Sequence, residues 1–357
     1  MRNTTLREMA ALTCAGSGLT AALELMPKRR LLMLLTYHRI GDAAETPYDS
    51  GTFSASAEQF DAQITYLKQC FHIVGLEEAC NIVAACQAPA GPSILITFDD
   101  GYRDNYTLAF QILRSHNVPA CFFLPTAFVG TGTVPWWDVI AYIIKQSKNR
   151  VIRLQYPQPV TFDLERAGLS QAIIAILELY KSSKMRDKER FFSGLEDGCG
   201  IQRPQTDSKR RFLSWDEARE MQQAGMAFGS HTHTHEILSK LLPDQQEEEL
   251  RVSREIMEKE LARPVSAMAY PVGGRSTFSR ETTMSLLERT GYSAAFSCYG
   301  GLNLPGKTCQ FDVRRNGVIR QSHPCFRLQT AIRILKGSRC LWRVPRQNTI
   351  RAKNGPA

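Results

Sequence analysis

Two short clusters carry side chains that could do hydrolytic chemistry together: Thr97-Phe98-Asp99-Asp100-Gly101-Tyr102 and His231-Thr232-His233-Thr234-His235. Paired carboxylates and spaced imidazoles are the parts that hold a divalent metal, leave a coordination position open for water and place a base beside it. The Asp pair follows the apolar run Ile94-Leu95-Ile96-Thr97-Phe98, which reads as a buried strand. Successive side chains leave a strand on opposite faces, so the pair suits two tasks, one carboxylate ligating metal and its neighbour free as a base. Gly101 allows a sharp turn directly after them, although Asp-Asp-Gly alone is also an ordinary turn sequence. His231 and His235 stand four apart beyond Met226-Ala227-Phe228-Gly229-Ser230. A helical course would put these two on one face and turn His233 away, whereas an extended course would align all three. Two histidines with one carboxylate form an open, zinc-type set that also accepts cobalt, nickel or iron.

The elements that must position these clusters alternate short apolar runs with helical patterns, the rhythm of parallel strands joined by crossover helices. Expected strands are Leu32 to Tyr37, Ile94 to Phe98, Ala120 to Leu124, Met226 to Gly229, Ser266 to Tyr270 and Ala294 to Ser297. Ser214-Trp215-Asp216-Glu217 has capping-box spacing, Pro243 opens a charged helix reaching about Ala262, and another helix runs from near Ser279 to Gly291. Residues 136–211 break the rhythm with a helix over Leu169 to Tyr180, a charged stretch and a Gly/Pro-containing connector over Gly194 to Pro204. An insertion between two barrel strands, shaping the substrate cleft, accounts for this. At 357 residues the chain suits one α/β barrel of residues 31–320, preceded by a helical segment (1–30) and followed by a basic tail (321–357).

Charge is uneven. Eleven lysines and arginines follow Asp312 with no carboxylate among them, so the net charge of +9 becomes −2 for everything before Val313. Apolar residues from Phe326 to Trp342 interleave with these cations, a composition that fits peripheral contact with an anionic membrane as well as a solvated tail. No nucleic-acid-binding motif accompanies the charge, and no block of 18 apolar residues spans a bilayer. The ten cysteines show neither CxxC nor zinc-ribbon spacing, which fits a reducing compartment. The apolar stretch from Ala10 to Leu23 reads as a short helix packed on the domain. The expected location is cytoplasmic, with the tail at the inner face of the membrane.

Taken together, Thr-Phe-Asp-Asp-Gly-Tyr and Ser-His-Thr-x-Thr-His resemble the first two motifs of the polysaccharide deacetylases of carbohydrate esterase family 4, the NodB-homology domain. The resemblance covers roughly Leu32 to Arg320. It implies a distorted (β/α)7-type TIM-like barrel with a helical insertion between barrel strands, acting on an N-acetylated glycan. It further implies Asp99 as general base and Asp100, His231 and His235 as ligands of a divalent metal, zinc by default. Ala269-Tyr270-Pro271-Val272-Gly273 is similar to the Tyr-Pro-x-Gly form of the poly-N-acetylglucosamine deacetylase branch, with Pro271 shaping the groove and the N–H near Val272 holding an oxyanion. The Leu-x-His of typical members is missing, since the only histidine after 235 is His323. Leu35-Thr36-Tyr37-His38-Arg39-Ile40 resembles the Tyr-His motif of that same branch, whose barrel is circularly permuted, and makes His38 the acid.

Other assignments rest on residue type. Trp137, beside Trp136, could stack on a sugar face, and Tyr270 is placed with the groove residues. Arg314 or Arg315 could orient the Asp99 carboxylate, because a cation beside a base fixes its direction and lowers its pKa. Asp104 and Asn105 begin the helix after the Asp pair, while His72 and His116 read as structural. Two other functions fit the same residues: a deformylase or amidase acting on a lipid-linked sugar or other small amide, and an inactive glycan-binding scaffold.

Overall fold

The computed structural model describes residues 6–26, 30–44, 46–84, 89 and 91–339. Seven parallel strands close into a barrel, in chain order Leu32–Tyr37, Ser93–Phe98, Cys121–Leu124, Ala227–Ser230, Ala267–Ala269, Ala294–Ser297 and Val313–Gly317. Each strand lies beside the next in sequence. The first strand closes the ring by pairing with the second from Leu32↔Ser93 to Tyr37↔Phe98 and with the seventh from Leu34↔Arg315 to Thr36↔Gly317. A short strand, His72–Ile73, adds to the start of the second.

Strand alternation divides the barrel residues between two cores. Leu32, Leu34, Leu95, Cys121, Phe123, Ala267, Ala269, Ala294, Phe296 and Val313 form one cluster, to which Ala79, Ile82 and Val83 of the helix Leu76–Ala84 add. Met33, Leu35, Tyr37, Ile94, Ile96, Phe98, Phe122, Met268 and Tyr270 belong to the other, packed on helices such as Ala57–Cys70 and Pro243–Leu261. The first set has the parity of Asp99 and Arg315, which meet inside the barrel mouth. Small residues are needed there: a Cβ on Gly229 would lie 2.5 Å from the Phe123 ring.

The seventh strand was absent from the sequence expectations, because Val313-Arg314-Arg315-Asn316-Gly317 reads as polar. It is a strand because Arg315, fully buried, is neutralised within the barrel.

Residues 136–211 carry a core of their own, built on Trp137, Ile140, Ile144, Ile152, Ile176, Phe191 and Leu195. Three helices (Trp136–Lys145, Leu169–Lys181 and Lys188–Cys199) and an antiparallel hairpin, Val151–Leu154 with Val160–Asp163, enclose it. The expected connector from Gly194 onward is corrected, since the helix runs on to Cys199. Gly198 lets it approach the hairpin, where an added Cβ would meet Ile152 at 3.3 Å and the Arg153 carbonyl at 3.4 Å.

At the chain's start two helices, Leu6–Gly16 and Leu19–Leu25, replace the single expected one, and they pack on the helix His323–Arg339. The described part of the basic tail is thus helical, with Cys325, Phe326, Thr330, Ala331 and Ile334 buried. Residues 340–357 lie outside the described residues.

Candidate metal centre

The C-terminal ends of the barrel strands deliver the chemistry-bearing residues to one cavity of about 200 Å3. It is lined by His38, Asp99, Asp100, His231 and His235, by Val272 and Cys298, and by residues of the 46–53 segment and the insertion. Asp99 and Asp100 share this cavity, which corrects the expectation that they face opposite ways. Asp100 leaves the extended conformation (φ 71°), and its side chain swings back beside its neighbour. Gly101 follows at φ 66°, where a Cβ would lie 2.6 Å from Leu124.

The histidine segment is neither helical nor extended. Thr232 (φ 66°) and His235 (φ 60°) turn it back on itself. Glu249 holds the turn by accepting from His233 N, Thr234 N and Thr234 Oγ1 at 2.8, 2.8 and 2.5 Å. His233 points away and shares a 2.8 Å hydrogen bond with Thr126 Oγ1. With Val272 (φ 62°), three of the six described non-glycine residues in the left-handed region, Asp100, His235 and Val272, line this cavity. Such conformations cost free energy and persist only where surrounding structure enforces them.

Asp100, His231 and His235 are buried, and their ligand atoms lie within 4.8 Å of one another. Asp100 Oδ1 is 3.6 Å from His231 Nε2 and 3.3 Å from His235 Nε2. Donors bound to one ion at bond lengths of about 2.1 Å in tetrahedral array sit roughly 3.4 Å apart. His231 Nδ1 donates to the Ala269 carbonyl at 2.8 Å, so the neutral ring presents Nε2 as a free acceptor. Burial lowers the His231 pKa to about 4, which keeps that ring neutral. Asp100 is held down to about 2, because His235 and the other nearby histidines outweigh the burial that alone would raise it. Donor types, spacing and protonation all suit a divalent metal.

Asp99 belongs to a different arrangement. Arg315 grips it through two parallel hydrogen bonds, Nη1 to Oδ1 at 2.6 Å and Nη2 to Oδ2 at 2.9 Å. Burial favours the neutral acid, but the Arg315 charge leads the interactions that reverse this and hold the carboxyl below its ordinary range. Asp99 Oδ2 is also 3.8 Å from His231 Nε2, which sets it against the metal position without joining it. Arg314, the other residue considered for orienting Asp99, is on the opposite side of its strand, with its guanidinium 6.0 Å from the Tyr299 ring.

His38 is the first residue after the opening strand, half-buried at the cavity wall. Its backbone is fixed by Ser54 Oγ, which accepts from His38 N at 3.1 Å, and by Asn105 Nδ2, which donates to its carbonyl at 2.7 Å. Asp104 grips the next residues through Arg39 Nε at 2.8 Å and Ile40 N at 3.1 Å. The segment after the Asp pair, in part π-helical, therefore anchors the segment that carries His38.

The third motif divides. Val272 lines the cavity, and its N–H makes no hydrogen bond to another described residue. Pro271 is buried just before it. Gly273 permits the close pass to Cys298, whose N would lie 2.6 Å from an added Cβ. Tyr270 is no cavity residue: it has the outward parity, stacks on Phe278 at 4.0 Å and donates to the Phe311 carbonyl at 2.8 Å. Trp137 does line the cavity, 4.5 Å from the His235 ring, with Nε1 donating to Tyr102 Oη at 2.7 Å. Trp136, Leu177, Lys181, Asp49, Thr52 and Cys298 complete the wall. The last five were not singled out from sequence, because only the docking of the insertion and the long loops brings them there.

Comparison with known sequences assigns residues 87–295 to the family described as "Polysaccharide deacetylase". The chain belongs to the polysaccharide deacetylases. The match begins after the first barrel strand and His38 and ends before the seventh strand, the chain order of the circularly permuted branch. "Putative polysaccharide deacetylase YxkH" of Bacillus subtilis (strain 168) is 21% identical over 264 residues, 73% of this chain. The alignment spans 62% of the length of that relative. Among solved structures, the Streptococcus pyogenes deacetylase PplD in complex with acetate matches 85% of this chain and 99% of its own, at 19% identity and TM-score 0.55. IcaB from Ammonifex degensii matches 85% and 97%, at 21% identity and TM-score 0.54. Both structures share the barrel fold.

Proposed function

We propose that this polysaccharide deacetylase removes the N-acetyl group from an amino sugar of a polysaccharide or glycan precursor in a metal-dependent reaction. The observation that carries the reading is the separation of Asp99, clamped by Arg315, from the adjoining Asp100/His231/His235 set within one cavity. When bound there, a divalent metal, zinc by default, would polarise the acetamide carbonyl and acidify a water.

Asp99 is the proton acceptor. Its Arg315 fork keeps the carboxylate ionised and aimed into the cavity, so it takes the proton of the attacking water. The Val272 N–H donates to the oxyanion that develops on the amide carbonyl, and its enforced left-handed backbone fixes that donor in advance. His38, which lines the same cavity, gives a proton to the departing sugar nitrogen, so the products are acetate and a free amine. Trp137 and Trp136 present aromatic surface to the sugar ring. Screening acetate release over N-acetylated oligosaccharides and lipid-linked N-acetyl sugars, with protein of measured metal content, tests the reading. Release that tracks metal content supports it; no release from any of them by metal-replete protein would overturn it.

A further inference from the structure

The two histidines of the metal set are held in different ways. His231 Nδ1 donates to the Ala269 carbonyl, the kind of outer bond that fixes the tautomer and direction of a metal-binding imidazole. His235 Nδ1 is buried and has no hydrogen-bond partner among the described residues. Its backbone is pinned, since Thr232 Oγ1 accepts from His235 N at 3.2 Å. That bond leaves the ring free to turn about its side-chain torsions. Neighbouring rings are what confine it. The His231 ring, itself fixed, lies 4.7 Å away, and the Trp137 ring 4.5 Å away. Phe128 and Trp136 stand farther off, at 6.4 and 6.5 Å.

Trp137 is in turn held by directional bonds. It is buried, and its Nε1 donates to Tyr102 Oη at 2.7 Å. Tyr102 Oη donates its own hydrogen to Asp138 Oδ2 at 3.1 Å. Asp138, fully buried, is anchored twice more: Oδ1 accepts from Asp49 N at 2.9 Å, and Oδ2 lies 2.8 Å from Arg211 Nη2. The Tyr102 ring packs on Phe212 at 5.0 Å and under the Arg39 guanidinium at 4.7 Å. Tyr102 stands two residues after Asp100, so the turn that delivers one metal ligand also opens the chain of contacts that ends on another. A hydroxyl is needed at this point, because it must accept from an indole and donate to a carboxylate at once. Phenylalanine would leave both of those buried groups without a partner.

We infer that Asp138, Tyr102 and Trp137 are positioning residues for the metal ligand His235, doing through ring contact what the Ala269 carbonyl does for His231 through a hydrogen bond. The inference rests on the reading of Asp100, His231 and His235 as metal ligands. A ring steered by packing turns more readily than one bonded at its far nitrogen, so His235 is the ligand whose direction depends on its surroundings. Trp137 thereby has a task besides the sugar contact assigned to it. Metal affinity, and not turnover alone, should respond to groups that touch neither the ion nor the substrate.

The test is the Zn2+ affinity of the full chain, read by competition with a chromophoric chelator. The visible spectrum of the Co2+-loaded protein and the thermal melt of the metal-free protein are measured beside it. Tyr102→Phe should weaken Zn2+ binding by about 10- to 100-fold, as loss of support for a metal-binding histidine does, and should shift the Co2+ bands. Trp137→Phe keeps the bond between Tyr102 and Asp138 but loses the indole against His235, so its Zn2+ affinity should fall by about tenfold. It decides the matter if Tyr102→Phe does not fold. Tyr180→Leu is the control: no hydrogen bond or ring contact links Tyr180 to Tyr102, Asp138 or Trp137 among the described residues. It should lower the melt, keep Zn2+ affinity within about threefold and leave the Co2+ bands in place. Unchanged Zn2+ affinity and Co2+ bands in Tyr102→Phe and Trp137→Phe would overturn the inference, as would an equal weakening by Tyr180→Leu. Wild-type protein that binds no Zn2+ would overturn the metal reading itself, and the inference with it.

Discussion

The two walls of the cavity are built in different ways. On the barrel wall, specific hydrogen bonds do much of the holding: Asp99 is held by the Arg315 fork, His231 by the Ala269 carbonyl, and the histidine turn by Glu249. On the insertion wall, packing does most of the holding, with Trp136 stacked on Tyr180 at 4.5 Å and Trp137 set into a separate apolar core. Directional bonds fix reacting atoms to a fraction of an ångström, as proton transfer demands. Apolar packing instead supplies a shaped surface that can differ without disturbing the centre. The barrel wall should therefore govern kcat, and the insertion wall KM and the choice of substrate.

Asp99→Asn provides the hardest test of this division. It removes the base but none of the three metal donors, so kcat should fall by about 10³-fold or more while bound metal is retained. His235→Ala should behave oppositely in one respect, losing metal and activity together. Metal analysis beside acetate-release kinetics distinguishes them; equal metal loss in both would erase the proposed boundary between Asp99 and Asp100. His38→Ala comes next, with kcat lower by about 10²-fold, metal unchanged and the loss smaller for substrates whose amine is a better leaving group. Full activity in that variant would remove His38 from the mechanism.

How far these roles could be read from the chain follows the same division. The barrel and its site were legible because buried strands are apolar runs and the polar residues stand directly at their ends. Reading failed where a strand must carry charge: Arg315 makes Val313–Gly317 look like a loop, yet that charge is what the buried Asp99 requires. Strand parity also settles what composition left open, sending Arg315 inward while Arg314 and Tyr270 face outward. It misled at Asp100, whose left-handed backbone cancels the alternation. The insertion wall was largely hidden, because Leu177 and Lys181 reach the cavity only through the packing of a second core. Nothing in their local sequence marks that destination.

Arg315→Lys probes the barrel wall with a smaller change. Lysine keeps the charge but cannot make both parallel bonds to the carboxylate. Asp99 would be less well aimed, and kcat should drop by about 10- to 100-fold with little change in KM. The pH profile gives an independent sign. Burial pushes the Asp99 carboxyl up and Arg315 pulls it down, so weakening the pair raises the pKa of the free base form's conjugate acid. Activity is lost as pH falls through that pKa, so the acidic limb should move to higher pH in the variant. A limb that stays in place while kcat falls would mean that Arg315 acts on geometry alone.

Trp136→Ala should have the smallest effect on turnover. The side chain lines the cavity but makes no hydrogen bond to Asp99, Asp100, His231 or His235 among the described residues, so its contribution lies in contact with the bound sugar. Removing that aromatic surface is worth about 1–2 kcal/mol of binding, which raises KM about five- to thirtyfold with kcat nearly unchanged. The same substitution also takes away the stacking on Tyr180, so the thermal melt should move down as well. Stability and binding can be separated by Tyr180→Leu, which disturbs the stack from a residue that does not line the cavity. If Tyr180→Leu lowers the melt but spares KM, the insertion wall contacts substrate directly. If both variants lower kcat as much as Arg315→Lys does, the two walls act as one unit and the contrast between them fails.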